Sequence, residues 1–143
     1  MNHWKLKLAS TSCEWLQSVQ KNFDAFLIDH ALNERKASAS AMTLVAHYPD
    51  RATLVEVMIE LAIEELTHFK QVMKIIASRN LIIENEKKDP YVNELRRHMK
   101  KSDSKAYLLD RLLAGAVIEA RGEERFSLLA ENLEDPFFKS FYT

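Results

Sequence analysis

A long stretch without helix-breaking residues limits the folds open to this chain. From Asp50 to Arg79 there is no glycine and no proline, and apolar residues recur at threes and fours. That recurrence is the period of an amphipathic α-helix. The whole chain carries only two glycines and three prolines, and its long uninterrupted windows are rich in good helix formers. The sequence therefore predicts an all-α fold.

Length and composition predict one helical domain over residues 1–143, since 47% of the residues are hydrophobic and can form a core. The formal net charge of −1 excludes a globally basic nucleic-acid coat, so any RNA contact must be local. Cys13 is the single cysteine and cannot form an internal disulfide. With no leader and no 18-residue apolar run, the expected location is the cytoplasm, without membrane contact.

Aspartate and proline pairs divide the chain into helices. Asp50 is the expected N-cap of the second helix, and Asp89-Pro90 and Asp135-Pro136 are the expected starts of two later ones. The predicted helices run over about 12–46, 50–79 and 91–101, and a third long helix follows the break at residues 102–104 and runs to about Leu133, with a further start at Asp135-Pro136. The predicted apolar faces include Val57, Met58, Ala62, Val72 and Ile76 in the second helix, and Leu108, Leu109, Leu112 and Leu113 in the third long helix.

Glu65 and His68 form a Glu-x-x-His motif in the second helix. Residues three apart on a helix share a face, so both side chains can reach one metal ion inside a bundle. In di-iron and di-manganese bundles, two helices each give one Glu and two others each give a Glu-x-x-His. Apolar neighbours such as Ala62 and Val72 place the pair near the buried stripe. The alternative is a Glu and a His on a solvated face.

Depth along the helices selects further carboxylates. Glu34 and Glu65 both lie roughly 20 Å from the turn that joins their helices, at about 1.5 Å of rise per residue. Glu119 lies at the matching depth before the turn that follows the third long helix. A weak internal repeat between residues 27–35 and 117–125 instead aligns Glu34 with Glu124. Depth favours Glu119 and the repeat favours Glu124, and depth receives more weight.

Three segments, at residues 29–38, 47–72 and 108–130, resemble the MiaE-type tRNA hydroxylases. The resemblance implies a ferritin-like four-helix bundle built from up-down hairpins, with its fourth core helix cut short. It implies a non-haem di-iron monooxygenase that uses dioxygen and an unknown electron donor. The implied substrate is a tRNA in which the isopentenyl group of 2-methylthio-isopentenyladenosine is hydroxylated.

The resemblance assigns Glu34, Glu65 and His68 as ligands of two iron ions, with Glu119 as the preferred third-helix ligand. A second Glu-x-x-His would lie near position 149 or 150, beyond Thr143. A natural truncation, a longer chain and a helix donated by another chain all remain open. His30 and Asp29 are candidates to orient Glu34 and His68 respectively. Gly122 either leaves space beside the site or allows close helix packing, and Arg125 is expected to form a buried or interhelical salt bridge.

The candidate tRNA surface is a basic cluster around the short helix, although a charge run is more often a solvated face. Its members are Lys87, Lys88, Arg96, Arg97, His98, Lys100, Lys101 and Lys105. Two rival functions remain at this point. One is a ferritin-like metal-binding protein without hydroxylase activity. The other is a metal-free helical module that forms a homodimer to cover an apolar groove.

Overall fold

The computed structural model describes residues 6–84, 88–99 and 104–143, and all regular structure in these ranges is helical. The all-α prediction is therefore confirmed. The helices, in chain order, are α1 (Cys13–Lys21), α2 (Phe23–His47), α3 (Ala52–Ser78), α4 (Pro90–Arg97), α5 (Ser104–Asn132) and α6 (Pro136–Phe141).

These helices form two compact units. The hairpin unit covers Lys21–Glu86 and contains α2 and α3. The α5 unit combines Met1–Gln20 with Lys87–Thr143 and contains α1, α4, α5 and α6. The candidate metal ligands of the Glu-x-x-His motif lie in the first of these units, and Glu119 lies in the second.

Two predicted helix boundaries in the hairpin unit are wrong. The helix expected over residues 12–46 is divided at Asn22, whose φ of −130° and ψ of 46° leave the helical region. Asparagine favours such positions because its side chain competes with the backbone for hydrogen bonds. The N-cap of α3 is Arg51 rather than Asp50. The Arg51 backbone N–H donates to the Tyr48 carbonyl at 3.1 Å. Asp50 therefore lies within a turn that precedes the helix.

The two aspartate-proline starts are confirmed. Asp89 Oδ1 accepts from the backbone N–H groups of Tyr91 at 2.9 Å and Val92 at 3.4 Å. Asp135 Oδ1 accepts from the Phe137 N–H at 2.9 Å. Each aspartate satisfies donors that the first helical turn leaves unpaired, and the proline that follows needs no donor there. Helix α4 ends at Arg97, earlier than the predicted end near Lys101.

Small residues allow α2 and α3 to pack closely in the hairpin unit. Ala31 and Ala62 are buried between larger side chains, and Leu27, Val72 and Ile76 are almost completely buried. The Ser38 hydroxyl, itself buried, donates to the Ala62 carbonyl at 2.9 Å and joins the two helices. The apolar face predicted for α3 is largely correct, but Val57 is 50% exposed.

Aromatic side chains from α6 complete the core of the α5 unit. Phe138 and Tyr142 are buried with Leu108 and Leu129 of α5, and the rings of Phe126 and Tyr142 lie 5.2 Å apart. Three leucines predicted on the apolar face of α5 are instead exposed. They are Leu109, Leu112 and Leu113. Within the described residues, no helix has the length and apolar content required to cross a membrane.

Candidate metal centre

The hairpin brings three of the four predicted ligands together. Glu34 of α2 and Glu65 and His68 of α3 each offer one ligand atom, and these atoms all lie within 4.8 Å of one another. His68 Nδ1 lies 3.7 Å from Glu65 Oε2 and 3.9 Å from Glu34 Oε2. Glu34 and Glu65 lie at similar distances from the turn between α2 and α3, as the residue count predicted, and therefore face each other. Coordination of a metal by this group remains a prediction.

The two carboxylates lie inside the unit, whereas the imidazole is more open. The side chain of Glu65 is 5% exposed and that of Glu34 is 12% exposed, but that of His68 is 44% exposed. Among the described residues, neither carboxylate has a lysine or arginine partner; their ion-pair contacts are with His30 and His68. Because these two carboxyl groups are buried side by side without a lysine or arginine partner among the described residues, it is costly for both to be ionised at once.

The pKa of Glu65 reflects the same lack of a cationic partner. Burial raises the pKa of Glu65 to about 8, and a hydrogen bond to Glu34 and repulsion from its charge act in the same direction. A divalent cation between the carboxylates would favour their charged forms and remove that cost. The donors, two carboxylates and one imidazole, suit iron or manganese better than zinc. The residues present therefore fit the metal that the sequence predicts.

His30 contacts the outer side of this group. Its Nε2 lies 2.8 Å from Glu34 Oε1, and its side chain is buried. Burial, with a smaller contribution from the nearby His68, lowers the pKa of His30 to about 4. His30 is therefore neutral near pH 7, and the Nε2–H tautomer donates to Glu34. This contact supports the predicted orienting role of His30.

The predicted pairing of Asp29 with His68 is wrong. The ion-pair contacts of His68 are with Glu34 and Glu65, and Asp29 accepts a hydrogen bond from Asn33 at 3.2 Å. Asp29 is exposed. One residue along a helix turns a side chain by about 100°, so Asp29 and His30 cannot both face the α2–α3 interface.

The two candidates on α5 differ within their own unit. Glu124 Oε1 accepts from the Thr11 backbone N–H at 2.7 Å, while its Oε2 accepts from Thr11 Oγ1 at 2.6 Å and from Arg121 at 2.8 Å. Although burial raises its pKa, these hydrogen bonds outweigh burial and hold the pKa of Glu124 below its usual value. Both Glu124 oxygens are thus occupied by structural donors. Glu119 is exposed on α5, and its role as a ligand remains a prediction.

Other predicted features near α5 have mixed outcomes. Within the α5 unit a Cβ placed on Gly122 would meet no described atom within 4 Å, so Gly122 lies beside open space in this unit, and its close packing against another helix stays a prediction. Arg125 forms no salt bridge with the described residues; its guanidinium lies 4.9 Å from the centre of the Trp15 ring. The sequence contains no short-range signal for this contact, because Trp15 lies far from Arg125 along the chain.

The candidate tRNA surface is described only in part. Lys87, Lys100 and Lys101 lie outside the described residues. Arg97 and His98 are exposed, and Glu94 lies 2.8 Å from Arg97 and 3.5 Å from His98, so a carboxylate offsets part of the positive charge of this surface. Arg96 is exposed on the same short helix. Binding of tRNA by this surface stays a prediction.

Comparison with known proteins adds a family and a fold. The family described as tRNA-(MS2IO6A)-hydroxylase (MiaE) matches residues 2–143. A tRNA 2-(methylsulfanyl)-N(6)-isopentenyladenosine(37) hydroxylase of Pseudomonas putida is 32% identical over 128 residues, covering 90% of this chain and 62% of the relative. The enzyme of the same name from Salmonella typhimurium is 32% identical over 147 residues, covering 94% of this chain and 49% of the relative. The chain thus spans 62% of the length of the first relative and 49% of that of the second.

A solved structure described as protein 43 with aldehyde deformylating oxygenase activity, from Synechococcus, is also similar. It is 36% identical and superposes with a TM-score of 0.90 over 98% of this chain and 68% of that protein. The predicted ferritin-like helical fold is confirmed by this likeness.

Proposed function

Because this chain belongs to the MiaE family of tRNA hydroxylases, we propose that it carries a non-haem di-iron centre for dioxygen-dependent hydroxylation of a modified adenosine in tRNA. The hydroxylated position would be the isopentenyl group of 2-methylthio-isopentenyladenosine, in line with the names of the two relatives. The observation that carries the proposal is the group formed by Glu34, Glu65 and His68, whose ligand atoms lie within 4.8 Å of one another.

The protein's own part in the reaction would be to hold the two iron ions. Glu34 and Glu65 would supply negative charge, His68 would supply a neutral nitrogen, and Glu119 would be a further ligand. Once bound, the iron would supply the dioxygen activation that no amino-acid side chain provides. Glu65 would lose its proton as the cation binds, since the cation stabilises the carboxylate form.

Burial and hydrogen bonding would orient these ligands before iron binds. The His30 N–H donates to Glu34, which fixes one carboxylate oxygen and leaves the other toward His68. The almost complete burial of Glu65 keeps water from the inner side of the group. The partly exposed His68 is the side of the group within this unit that a small molecule can approach.

The partners follow from the proposed substrate. They would be a tRNA that carries the modified adenosine and an electron donor not yet identified, and a homodimer is one assembly to be tested. A tRNA substrate would place the protein in the cytoplasm.

Iron content and product mass test this proposal together. The chain is loaded anaerobically with ferrous ion and desalted, and iron per chain is measured. It is then incubated with tRNA bearing the isopentenyl modification, a chemical reductant and dioxygen, and the digested nucleosides are analysed by mass spectrometry. Two irons per chain and a nucleoside heavier by one oxygen atom are expected. Bound iron without a hydroxylated product would support a ferritin-like metal-binding protein without hydroxylase activity. Absence of bound iron would support the metal-free helical module.

The similarity to the Synechococcus protein favours one second candidate. At 36% identity and a TM-score of 0.90, an aldehyde deformylating oxygenase activity is compatible with this fold. Release of formate from an aldehyde, in a reaction that contains no tRNA, would identify this activity. Oxygen transfer to the tRNA nucleoside without formate release would exclude it.

A further inference from the structure

A cleft of about 340 Å³ lies within the α5 unit. It is bounded by the segment that precedes α1, by the start of α4 and by one face of α5. Trp15, Tyr91, Arg121 and Arg125 line it together with the hydroxyl residues Ser10 and Ser12. We call it the Arg125 cleft. Its volume is at the lower end for small-molecule sites and exceeds the space that one inorganic ion requires.

The guanidinium of Arg125 is held in place by aromatic rings rather than by a carboxylate. It lies 4.9 Å from the ring centre of Trp15 and 5.9 Å from that of Tyr91. Its Nε is buried and has no acceptor among the described residues. A guanidinium has five N–H donors and no acceptor, and a buried donor without a partner is costly. Arg125 is therefore positioned but has unused hydrogen-bonding capacity.

Among the described residues, the carboxylates near Arg125 do not accept hydrogen bonds from its guanidinium. Arg121 donates to the Ala9 carbonyl at 2.7 Å and to Glu124 at 2.8 Å, and both Glu124 oxygens are occupied by Thr11 and Arg121. Asp89, another carboxylate that acts on Arg125, accepts from two backbone N–H groups as the N-cap of α4. Burial lowers the pKa of Arg125, because the surroundings disfavour a cation that lacks a close anion.

We propose that the Arg125 cleft binds a phosphate group, and that the phosphate belongs to the backbone of the RNA substrate. The second part rests on the proposed function. The planar donors of arginine match two phosphate oxygens at once, and the aromatic rings keep the guanidinium oriented. Ser12 Oγ accepts from the Trp15 N–H at 3.3 Å, which leaves its own proton available to a phosphate oxygen. The size of the cleft accommodates a phosphate together with its attached sugar.

The fluorescence of Trp15 provides a direct test of phosphate binding. Trp4 is changed to Phe so that Trp15 alone reports, and inorganic phosphate and adenosine monophosphate are titrated separately. A saturable change is expected in this background and is expected to vanish in Arg125→Gln. The matched control is Arg111→Gln, because Arg111 also lies over a ring, 5.9 Å from the centre of Tyr107, but outside the cleft. Equal responses in the two arginine variants would overturn the proposal.

RNA binding is measured separately, by fluorescence anisotropy of a labelled, unmodified RNA hairpin at several salt concentrations. Loss of one phosphate contact in Arg125→Gln should weaken binding about tenfold and reduce the salt slope by about one. Arg111→Gln should match the parent protein. If Arg125→Gln fails to fold, Arg125→Lys carries the test, because it keeps a cation over the rings but loses the planar donors. An unchanged RNA affinity and salt slope in a folded Arg125 variant would overturn the proposal.

Together, the phosphate titration and the RNA-binding measurement distinguish free phosphate from RNA phosphate as the ligand. They also test the Arg125 cleft separately from the proposed hydroxylase function. A response to free phosphate with RNA binding independent of Arg125 would overturn the assignment to RNA. Arg125-dependent RNA binding in a protein without hydroxylase activity would support the cleft while the proposed function fails. Hydroxylation by a protein whose Arg125→Gln variant binds RNA normally would support the function and overturn the cleft.

Discussion

Glu65 in the hairpin unit and Glu124 in the α5 unit are both partly or fully inside the protein, yet their surroundings are opposite. Glu124 accepts three hydrogen bonds, from the N–H and hydroxyl of Thr11 and from Arg121, and its pKa falls despite burial. Glu65 faces a second carboxylate and has a raised pKa. A carboxylate whose charged form is stabilised by hydrogen-bond donors of the fold has a structural role, whereas one whose pKa is raised by burial beside a second carboxylate is a candidate ligand for a cation.

Removing the Glu65 charge should have the largest effect. We expect Glu65→Gln to lower iron affinity at least about 100-fold, because the ion loses one of few anionic donors. The helical circular dichroism should be unchanged. The metal-free variant should be about as stable as wild type near pH 4.5 and more stable at pH 7 and above, because folded wild-type Glu65 must bind a proton or ionise beside Glu34. The control is Glu64→Gln, which alters an exposed neighbour on α3. Normal iron binding by Glu65→Gln would contradict the ligand assignment.

His30 is not a predicted ligand, but its substitution should also affect metal binding by the hairpin unit. In His30→Ala, Glu34 loses the 2.8 Å hydrogen bond that orients it, and iron affinity should fall about 10-fold to 100-fold. Isothermal titration with ferrous or manganous ion measures the change. His30→Gln retains a side-chain donor and should restore part of the affinity. His47→Ala is the control, because His47 is exposed at the end of α2; an equal loss in that variant would argue against a specific role.

The pH dependence of stability should also distinguish the two glutamates. The pKa of folded Glu65 is near 8 and that of the unfolded residue near 4.5, so the folded state binds more protons between these values. The free energy of unfolding of metal-free wild type, relative to Glu65→Gln, should therefore fall as pH rises from 4.5 to 8. Urea unfolding at several pH values measures this. Metal binding near pH 7 should release about one proton, and absence of both effects would contradict the raised pKa.

Smaller effects are expected from the carboxylates of α5. Glu124→Ala should destabilise the protein by about 1–2 kcal/mol, a value reduced because the side chain is one-third exposed, and should leave iron binding intact. Glu119→Ala should lower iron occupancy more than Glu124→Ala does, with little effect on unfolding. Chemical denaturation and iron content of both variants provide the measurement. The reverse order of iron loss would show that the internal repeat is the better guide.

The sequence predicted the helices well because their causes are local. Asp89 and Asp135 each stand before a proline and contact backbone groups two or three residues ahead. Glu65 and His68 lie on one helical face at a spacing that the period alone determines. Counting residues from the turn then predicted Glu34 opposite them. The division at Asn22 and the N-cap at Arg51 were missed because they depend on the competition of turns with helices.

Features that depend on distant contacts could not be predicted in this way. Depth and repeat both selected carboxylates on α5, but neither could show that Thr11, more than one hundred residues earlier, occupies Glu124. Arg125 was expected in a salt bridge, and its partners are instead the rings of Trp15 and Tyr91. The exposure of Leu112 and Leu113 also depends on which helices pack against α5.

By itself the sequence determined the helical class, the helix starts at Asp89 and Asp135, and the face shared by Glu65 and His68. These properties depend on backbone preferences and on a period of 3.6 residues, which act over a few neighbours. Only the tertiary structure decided that Glu65 is buried beside Glu34 without a lysine or arginine partner among the described residues, that both Glu124 oxygens are hydrogen-bonded, and that Arg125 lies in a cleft. Hydrogen bonds and desolvation act through space, so the protonation and partners of a buried charge depend on residues that the chain order does not bring together.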